Sequence, residues 1–505
     1  MHSGYANSLY GITGRAMIRA DAARVALRWS AAVTAVMLLY IAVVTPIGWI
    51  KYYGAFHIIT SVLGATVMVA LAACTAWIAR RVSGWSDAAV VSVSVGIAVA
   101  LRALWVALVD TSPTSDFLEY HRYATEVAHG DVLAHGWFFV VFPFKVVYAL
   151  MLGGIYAITT PLPYVAGIVN IIATCGIVVM MYVIAHRVYG RDTARNAALL
   201  AAVWPLQLVF TSVAAQEHIF LLLFLCIVAG MLAIPRDGRL MRIGMQAGAI
   251  GVIIALANLF RPVAVIAFPV LIVFIVAMRW KTLSQRWIYR AATVGIALVM
   301  FVMTTTLISN PIERVTGIDI SKARPGFSMY VGTHAPSHGM WFPESYNLVY
   351  RTAYNADTVH VRSMQAAIKQ VTADPAGMVV LAVEKFHYFW ASGEYAVMYA
   401  TREMGQRGIS PLLAAHHTSA LVASQAMYAV LLAMAGIALW RRRSTLTQLD
   451  VIVVATFLVH VACFTILEIQ SRYHMVVELM LLFPAALLLG GMQRPHTEGE
   501  GRVWE

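Results

Sequence analysis

Charged residues are scarce in this 505-residue chain. Only 12% of its residues are Asp, Glu, Lys or Arg, and 60% are hydrophobic. A soluble domain carries about 25% charged residues, so this shortage excludes an ordinary soluble globular protein. The apolar residues form continuous runs of about 20, whereas a β-barrel would show short alternating segments. The composition predicts an all-α polytopic membrane protein.

Cysteines and acidic residues are also few. The four cysteines lie inside apolar runs and match no zinc or redox spacing, so we expect small buried hydrophobic side chains: Cys74, Cys175, Cys226 and Cys463. Acidic residues number 24 against 36 basic ones, which gives a net charge of +12. Because the basic residues cluster in short stretches between apolar runs, we interpret them as membrane orientation signals and expect no nucleic-acid partner.

Twelve apolar runs have the length of a membrane span. They cover residues 29–50, 58–79, 88–109, 163–186, 194–213, 217–234, 243–260, 262–279, 288–308, 416–440, 449–467 and 475–492. Basic clusters mark the predicted cytoplasmic turns: Arg80–Arg81, Arg187–Arg195, Arg236–Arg242, Arg279–Arg290 and Arg441–Arg443. The first run follows Arg15, Arg19, Arg24 and Arg28 and is too long for a signal-peptide core, so we interpret it as a signal anchor. This arrangement predicts a multi-pass plasma-membrane protein with both termini in the cytoplasm.

One further apolar stretch, residues 137–160, would reverse this alternation if it crossed the membrane. The Arg187–Arg195 cluster would then lie outside. We therefore expect residues 137–160 to form helices in the outer interface of the membrane. Trp137, Pro143 and Tyr156 suit an interfacial element.

The sequence divides into six parts at these boundaries. They are the N-terminus with three spans (1–109), a first outer loop (110–162), spans four to nine (163–308), a small outer-face domain (309–415), three final spans (416–492) and a cytoplasmic tail (493–505). Within the outer-face domain, residues 376–390 are apolar with interspersed charges, which predicts an amphipathic surface helix.

The densest polar run begins the first outer loop. Asp116 could serve as a general base, and Glu119 and Tyr120 would share its face of a helix as candidate substrate contacts. Another interpretation is that Asp116 caps the helix 117–129. The two roles are compatible.

Short outer turns supply the other candidates. Glu217 and His218 could contact a sugar, bind a metal, cap a helix or simply form a solvated turn. Arg261 precedes Pro262 in a tight apolar hairpin and requires either a phosphate, an acidic loop residue or an interfacial position. Arg102, inside span three, either extends outward or pairs within the bundle.

Two later segments add polar groups on the same predicted face. The last hairpin, residues 468–474, contains Arg472 as a second phosphate candidate, with Tyr473 and His474 as possible substrate contacts. The Gly-rich and aromatic segment that ends at His334 suits sugar recognition.

The order of these features resembles the bacterial GT-C glycosyltransferases, in the branch of protein O-mannosyltransferases and the lipid A aminoarabinose transferase. The resemblance covers about residues 88–490 and is carried by a series of motifs: Asp116, His129-Gly130, His186 to Gly190, Trp204-Pro205, Glu217, Arg261-Pro262, Gly332-Thr333-His334 and Arg472-Tyr473-His474. It implies a GT-C-like bundle of about twelve transmembrane helices, with interfacial helices and a small inserted domain at the outer face. Two spans more than usual precede the Asp116 loop, and no large C-terminal domain follows.

The resemblance also implies a reaction. A sugar, such as a mannose-type hexose, passes with inversion from a polyprenyl-phosphate donor to a protein, lipid or cell-wall glycan acceptor at the outer face of the lipid membrane. Asp116 and Glu217 match the family's acidic residues, with Asp116 as the base. Arg261 and Arg472 are then expected near the donor phosphate.

Two other functional classes stay open. A secondary transporter has a similar span number but places polar groups at the bilayer midplane, often in repeated halves. A lipid-linked glycan ligase or polymerase shares the outer arginines but usually lacks the early Asp loop. No cofactor is required by any motif; a divalent metal ion stays open because carboxylates and His are available. Convergence of Asp116, Glu217, Arg261 and Arg472 on one cavity open both to lipid and to the outside would favour the glycosyltransferase.

Overall fold

The computed structural model describes residues 4–54, 57–134, 137–235, 240–277, 286–352 and 355–491. The predicted cytoplasmic tail 493–505 and most of the basic clusters 236–242 and 279–290 lie outside these ranges. In the described part, the chain is helical apart from one two-stranded ribbon. It is an all-α polytopic membrane protein, as its composition predicts.

Three long helices come first, and eight helical segments of the central region follow later. The first three are α1 (Gly4–Tyr53), α2 (His57–Arg81) and α3 (Asp87–Leu108). The central ones are α7 (Pro163–Tyr189), α8 (Arg191–Val203), α9 (Pro205–Phe210), α10 (Glu217–Leu232), α11 (Leu240–Phe260), a 3-10 turn (Pro262–Ile266), α12 (Ala267–Ala277) and α13 (Arg286–Thr316). The last membrane helices are α20 (His417–Arg442), α21 (Gln448–Phe464) and, after a 3-10 turn at Ser471–His474, α22 (Met475–Leu489).

Each of the twelve predicted spans coincides with helix. Eight described helices are long and apolar enough to cross a membrane, and one bent helix pair could make nine. Three more predicted spans are shorter apolar helices, Glu217–Leu232, Pro262–Ala277 and Gln448–Phe464. The remaining predicted span, 194–213, is divided into α8 and α9.

The division between α8 and α9 occurs at Trp204–Pro205. Proline cannot continue the hydrogen-bonding pattern of the preceding helix, so the last carbonyls of α8 need other donors. The fully buried Arg102 of α3 supplies them, with Nη1 at 2.6 Å from the Ala202 oxygen and Nη2 at 3.4 Å from the Ala201 oxygen. Of the two sequence interpretations of Arg102, pairing inside the bundle is therefore the one observed.

Helix α22 lies at the centre of the bundle. Of the most apolar window in Ser471–Leu489, 83% is buried, against 11% for the window in α13. Helices α8, α20 and α21 pack around it. The turn that carries Arg472 is thus held at the end of the most enclosed helix.

The first outer loop contains β1 (Val109–Thr111), α4 (Asp116–Ala128), α5 (Trp137–Val141) and α6 (Lys145–Ile158). Helix α6 has 14 residues, a length of about 21 Å at 1.5 Å per residue. That is short of the roughly 30 Å hydrocarbon core; that residues 137–160 do not cross the membrane stays a prediction. Helix α6 lies closely against α4: a Cβ on Gly153 would stand 2.6 Å from the Val127 Cβ.

The second outer region begins where α13 ends, eight residues after the predicted boundary at 308. It contains α14 (Gly326–Gly332), α15 (Tyr346–Arg351), α16 (Ala356–Ala373), α17 (Pro375–Trp390), α18 (Tyr395–Thr401), β2 (Met404–Gly408), α19 (Ser410–Ala415) and 3-10 turns at Ile320–Lys322, Ala335–Ser337 and Pro343–Ser345. Helix α17 matches the helix predicted for 376–390 and is bent by 106° from α16.

The β1–β2 ribbon joins the two outer regions. The strands are antiparallel, with Val109 opposite Gly408 and Thr111 opposite Met404. Both regions therefore lie at the same end of the helix bundle, which we call the outer end.

Candidate functional site

Asp116 is the first residue of α4, and its carboxylate points away from the helix. The helix N-cap is Ser115, whose side chain makes no capping hydrogen bond. Ser115 has φ +52°, a region that favours glycine and costs other residues roughly 1–3 kcal/mol. The interpretation of Asp116 as the capping residue is therefore wrong, because its oxygens are directed elsewhere.

Two cations hold the Asp116 carboxylate. Oδ2 accepts a hydrogen bond from Lys145 Nζ at 2.9 Å and another from Arg472 Nη2. The Asp116 side chain keeps 18% exposure, while Lys145 keeps 9% and Arg472 6%. Burial alone would raise the pKa of Asp116, but the positive charges and hydrogen bonds of Lys145 and Arg472 outweigh it and hold the pKa well below its usual range.

Lys145 is a site residue that the sequence reasoning missed. It begins α6, and its ammonium lies 4.0 Å from the Phe142 ring centroid and 4.4 Å from that of Phe138. The signal was available, because Lys145 is the only charged residue in the stretch 137–160. A lone charge in an apolar segment at a membrane is expensive and is usually functional.

Glu217 and Arg261 form a second ion pair. Glu217 begins α10 and accepts a hydrogen bond on Oε1 from Arg261 Nη1. The Glu217 side chain is 3% exposed and that of Arg261 is 13% exposed. Among the partners considered for Arg261 from sequence, the acidic residue is thus present in the protein itself.

Tyr473 connects the two ion pairs. The Arg261 guanidinium carbon lies 4.9 Å from the Tyr473 ring centroid and that of Arg472 lies 5.6 Å from it. The two guanidinium carbons are therefore no more than 10.5 Å apart, the sum of these distances. Asp116, Glu217, Arg261 and Arg472 thus converge at the outer end; a cavity there that opens both to lipid and to the outside stays a prediction. We call them, with Lys145 and Tyr473, the charged cluster.

The charged cluster carries an excess of positive charge. Its ion pairs contain three cations, Lys145, Arg261 and Arg472, and two carboxylates, Asp116 and Glu217. Glu468 lies nearby, but burial raises its pKa and so disfavours a third negative charge there. An anion is the kind of ligand that this imbalance attracts.

Aromatic rings line the charged cluster. Arg472 lies over Phe117 and Tyr399, at 5.0 and 5.3 Å from their ring centroids. Tyr120, a predicted substrate contact, is 2% exposed, and its hydroxyl lies 3.4 Å from Gln216 Nε2. Burial and the charges of Asp116 and Glu217 raise the pKa of Tyr120.

The remaining sequence candidates do not join the charged cluster. Glu119 is half-buried and forms no hydrogen bond or ion pair with a described side chain. His218 Nε2 lies 3.2 Å from the Gln207 oxygen, and His334 stacks on Phe342 with ring centroids 3.8 Å apart. His474 turns away from Tyr473, with Nε2 at 2.7 Å from the Ser392 oxygen.

His474 belongs instead to a second buried polar group around Glu478 of α22. Trp204 Nε1 and the Tyr395 hydroxyl donate to the Glu478 carboxylate, and His474 Nδ1 lies 4.0 Å from it. Glu478 was missed from sequence, although an acid inside an apolar run is a recognisable signal. It takes no part in the ion pairs of the charged cluster.

Two buried polar atoms in the charged cluster have no hydrogen-bond partner among the described residues. They are Glu217 Oε2, an acceptor, and Arg472 Nε, a donor. Buried polar atoms are normally paired, so an unpaired donor and an unpaired acceptor in one site suit a ligand that brings both.

A metal centre finds no support in the geometry of the described residues. No group of three or more His, Cys, Asp or Glu side chains among them is arranged to hold an ion. Asp116 and Glu217 already have cationic partners.

The four cysteines are free, with Cys74 exposed and the other three partly buried. The expectation of four buried thiols is therefore wrong for Cys74, which lies on the outward face of α2.

Comparison with known proteins adds one distant likeness. No family model and no curated protein matches the chain. Among solved structures, a crystal structure of ArnT from Cupriavidus metallidurans bound to undecaprenyl phosphate matches with 16% sequence identity. The match covers 80% of this chain and 77% of that one at a TM-score of 0.36. A TM-score this low assigns neither a fold nor a function.

Proposed function

We propose that this protein is a GT-C-type membrane glycosyltransferase that moves a sugar from a polyprenyl-phosphate donor to an acceptor hydroxyl. The observation that carries the proposal is the convergence of Asp116, Glu217, Lys145, Arg261 and Arg472 at one end of a membrane helix bundle. A donor with a lipid tail and a phosphate needs both features, an apolar bundle for the tail and a cationic site at its end.

The three cations suit the donor phosphate. A guanidinium offers a planar fork that matches phosphate oxygens, and Arg472 has an unpaired Nε donor. The unpaired Glu217 Oε2 would accept a hydrogen bond from a sugar hydroxyl. The phosphate and the sugar of one donor would thus use the two buried atoms that the protein leaves unpaired.

The reaction follows from this placement. Asp116 accepts the proton of the acceptor hydroxyl, and the acceptor oxygen forms a bond to the anomeric carbon of the sugar. The bond between that carbon and the phosphate oxygen breaks, with its electron pair going to the phosphate. Attack from the side opposite the leaving group inverts the anomeric centre. The polyprenyl phosphate gains one negative charge, which Lys145, Arg261 and Arg472 stabilise.

Donor binding would also prepare the base. Lys145 and Arg472 keep Asp116 ionised but make it a weak base, because they hold its pKa low. A bound phosphate competes for the same two cations. As it draws them from Asp116, the pKa of the carboxyl rises toward a value suited to accepting a proton. The carboxylate would therefore gain basicity when a donor is present.

The side of the membrane and the acceptor class belong to the same proposal. The positions of the basic clusters in the sequence support a charged cluster that faces the outside. A secondary transporter would need its polar groups near the midplane, whereas these lie at the helix ends and in short turns. The acceptor is a protein, a lipid or a cell-wall glycan.

The proposed activity is tested by comparing glycoconjugates from cells with and without this protein. Mass spectrometry of glycoproteins, glycolipids and cell-wall polymers should show one class that loses a single sugar and regains it on complementation with the intact gene. Identical glycoconjugates in both strains, under conditions in which the protein is made, would refute the proposal.

A further inference from the structure

A buried lysine binds the segment between α21 and the turn that carries Arg472 to the second outer region, which is called the outer region below. Lys385 of α17 is 1% exposed, and its Nζ donates three hydrogen bonds to backbone oxygens. They go to Gly332 at 2.8 Å, Thr465 at 3.0 Å and Leu467 at 2.8 Å. One ammonium therefore joins the end of α14, the end of α21 and α17 itself.

The three hydrogen bonds match the three donors of an ammonium group. No carboxylate among the described residues lies within ion-pair distance of Lys385 Nζ, so backbone carbonyls are its direct partners. Burial lowers the pKa of Lys385 to about 7, although the charge of Glu468 opposes this shift. Keeping a cation in this place costs free energy, which the three carbonyl contacts offset.

The same segment meets the outer region through its backbone. The Glu468 amide donates to the Ser328 oxygen at 2.8 Å, and the Ile469 amide donates to the Gly339 oxygen at 3.0 Å. The contact leaves no room for a side chain at Gly332 or at Gly339. A Cβ on Gly332 would stand 2.2 Å from the Ile466 oxygen, and one on Gly339 would stand 2.8 Å from Lys385 Cδ.

Arg472 follows this bound segment directly. The last amide held by the outer region is that of Ile469, three residues before Arg472. Arg472 then forms the ion pair with Asp116 across 356 residues of sequence. The position of the Arg472 guanidinium thus depends on where the segment 465–470 is anchored.

We propose that Lys385 is a positioning residue that anchors the segment 465–470 to the outer region and so sets the place of Arg472 opposite Asp116. The effect on donor binding rests on the proposed function, whereas the anchoring of the segment does not.

The anchoring is tested by hydrogen–deuterium exchange on the full-length protein in detergent. Lys385→Met keeps the length of the side chain but removes the donors. It should speed exchange in peptides that contain the Glu468 and Ile469 amides. The exposed Lys369 of α16 provides the matched control, and Lys369→Met should leave these peptides unchanged. Unchanged exchange in a folded Lys385→Met protein would overturn the proposal.

If Lys385→Met does not yield folded protein, Lys385→Arg provides the second variant. It keeps the charge, but a rigid guanidinium cannot reproduce the three-carbonyl arrangement of an ammonium. Faster exchange at Glu468 and Ile469 is expected in this variant too, and unchanged exchange would contradict the anchoring role.

The action through Arg472 is tested by a double-mutant cycle with a polyprenyl phosphate that carries no sugar. Lys385→Met should weaken its binding roughly 5- to 30-fold when Arg472 is present, and much less in an Arg472→Ala background. Equal losses in both backgrounds would show independent action and overturn the positioning role. If Arg472→Ala alone has no effect on binding, the phosphate contact of the proposed function fails, while the exchange experiment still judges the anchor.

Discussion

Asp116 lies between two cations, and this changes what its substitution does to folding. Asp116→Asn removes the negative charge that Lys145 and Arg472 share. Breaking a buried ion pair costs about 3–5 kcal/mol, and somewhat less here because Asp116 is 18% exposed. The structure therefore predicts a lower melting temperature as well as lost turnover for Asp116→Asn.

A second substitution separates the two effects of Asp116→Asn. The double variant Asp116→Asn with Lys145→Met removes one charge of each sign, so its melting temperature should lie above that of Asp116→Asn. Lys145→Met alone keeps the carboxylate and should retain measurable transfer, whereas the double variant should show none. Equal transfer by Lys145→Met and by the double variant would mean that Asp116 is not the base.

Removing an arginine of the charged cluster is predicted to weaken donor binding, whereas removing another arginine of the outer end is not. A charge-assisted hydrogen bond contributes roughly 1.5–3 kcal/mol, so Arg472→Ala or Arg261→Ala should weaken donor binding by about tenfold to a hundredfold. Lys should rescue only partly, because an ammonium lacks the bidentate fork. Arg122, which is 66% exposed on α4, supplies the control, and Arg122→Ala should bind donor normally.

The measurement is equilibrium donor binding, with folding followed by thermal melting. Arg261→Ala needs this check especially, because it leaves the buried Glu217 without its partner. Normal donor affinity in folded Arg261→Ala and Arg472→Ala proteins would mean that both arginines form only structural ion pairs and do not bind the donor phosphate.

At the scale of elements, the packing of α6 on α4 places Lys145 beside Asp116. Gly153 lies in that contact, where an added Cβ would meet Val127 at 2.6 Å, while the adjacent Gly154 has no neighbour within 4 Å. Gly153→Val should therefore separate the helices and lower transfer by at least tenfold, an energy of about 1.4 kcal/mol. Gly154→Val carries the same chemical change into open space and should be close to wild type. If both valine variants transfer sugar equally well, the α4–α6 contact does not position Lys145.

The location of α6 relative to the membrane gives a second prediction at this scale. If residues 137–160 stay at the outer surface, an impermeant thiol reagent applied from outside should label a cysteine at Leu162 and not one at Arg191. Both tests are made in a background without the four native cysteines. The opposite labelling pattern would put the Arg187–Arg195 cluster outside and contradict the topology.

The elements also show which parts of this fold a sequence can predict. Span positions such as 88–109 and 475–492 were predictable because hydrophobic length is a local property. The β1–β2 ribbon was not, because Met404–Gly408 has two glycines and no apolar alternation. The candidate site divides in the same way. Asp116 and Arg472 stand out as charges at span ends, but the pairing of Asp116 with Lys145 and with Arg472 depends on the tertiary packing of segments 29 and 356 residues apart.

For the whole molecule, the account makes one central claim: the charged cluster at the outer end transfers a sugar from a polyprenyl-phosphate donor. The most direct measurement is the release of polyprenyl phosphate from a labelled polyprenyl-phosphate sugar by the purified protein in lipid nanodiscs. A membrane and cell-wall extract supplies the acceptor, and Lys145→Met is compared with its Asp116→Asn double variant. The account predicts acceptor-dependent release by the wild type, reduced release by Lys145→Met and none by the double variant. The account would be contradicted if the double variant released as much polyprenyl phosphate as Lys145→Met. It would also be contradicted if the wild type released none with any hexosyl or pentosyl donor.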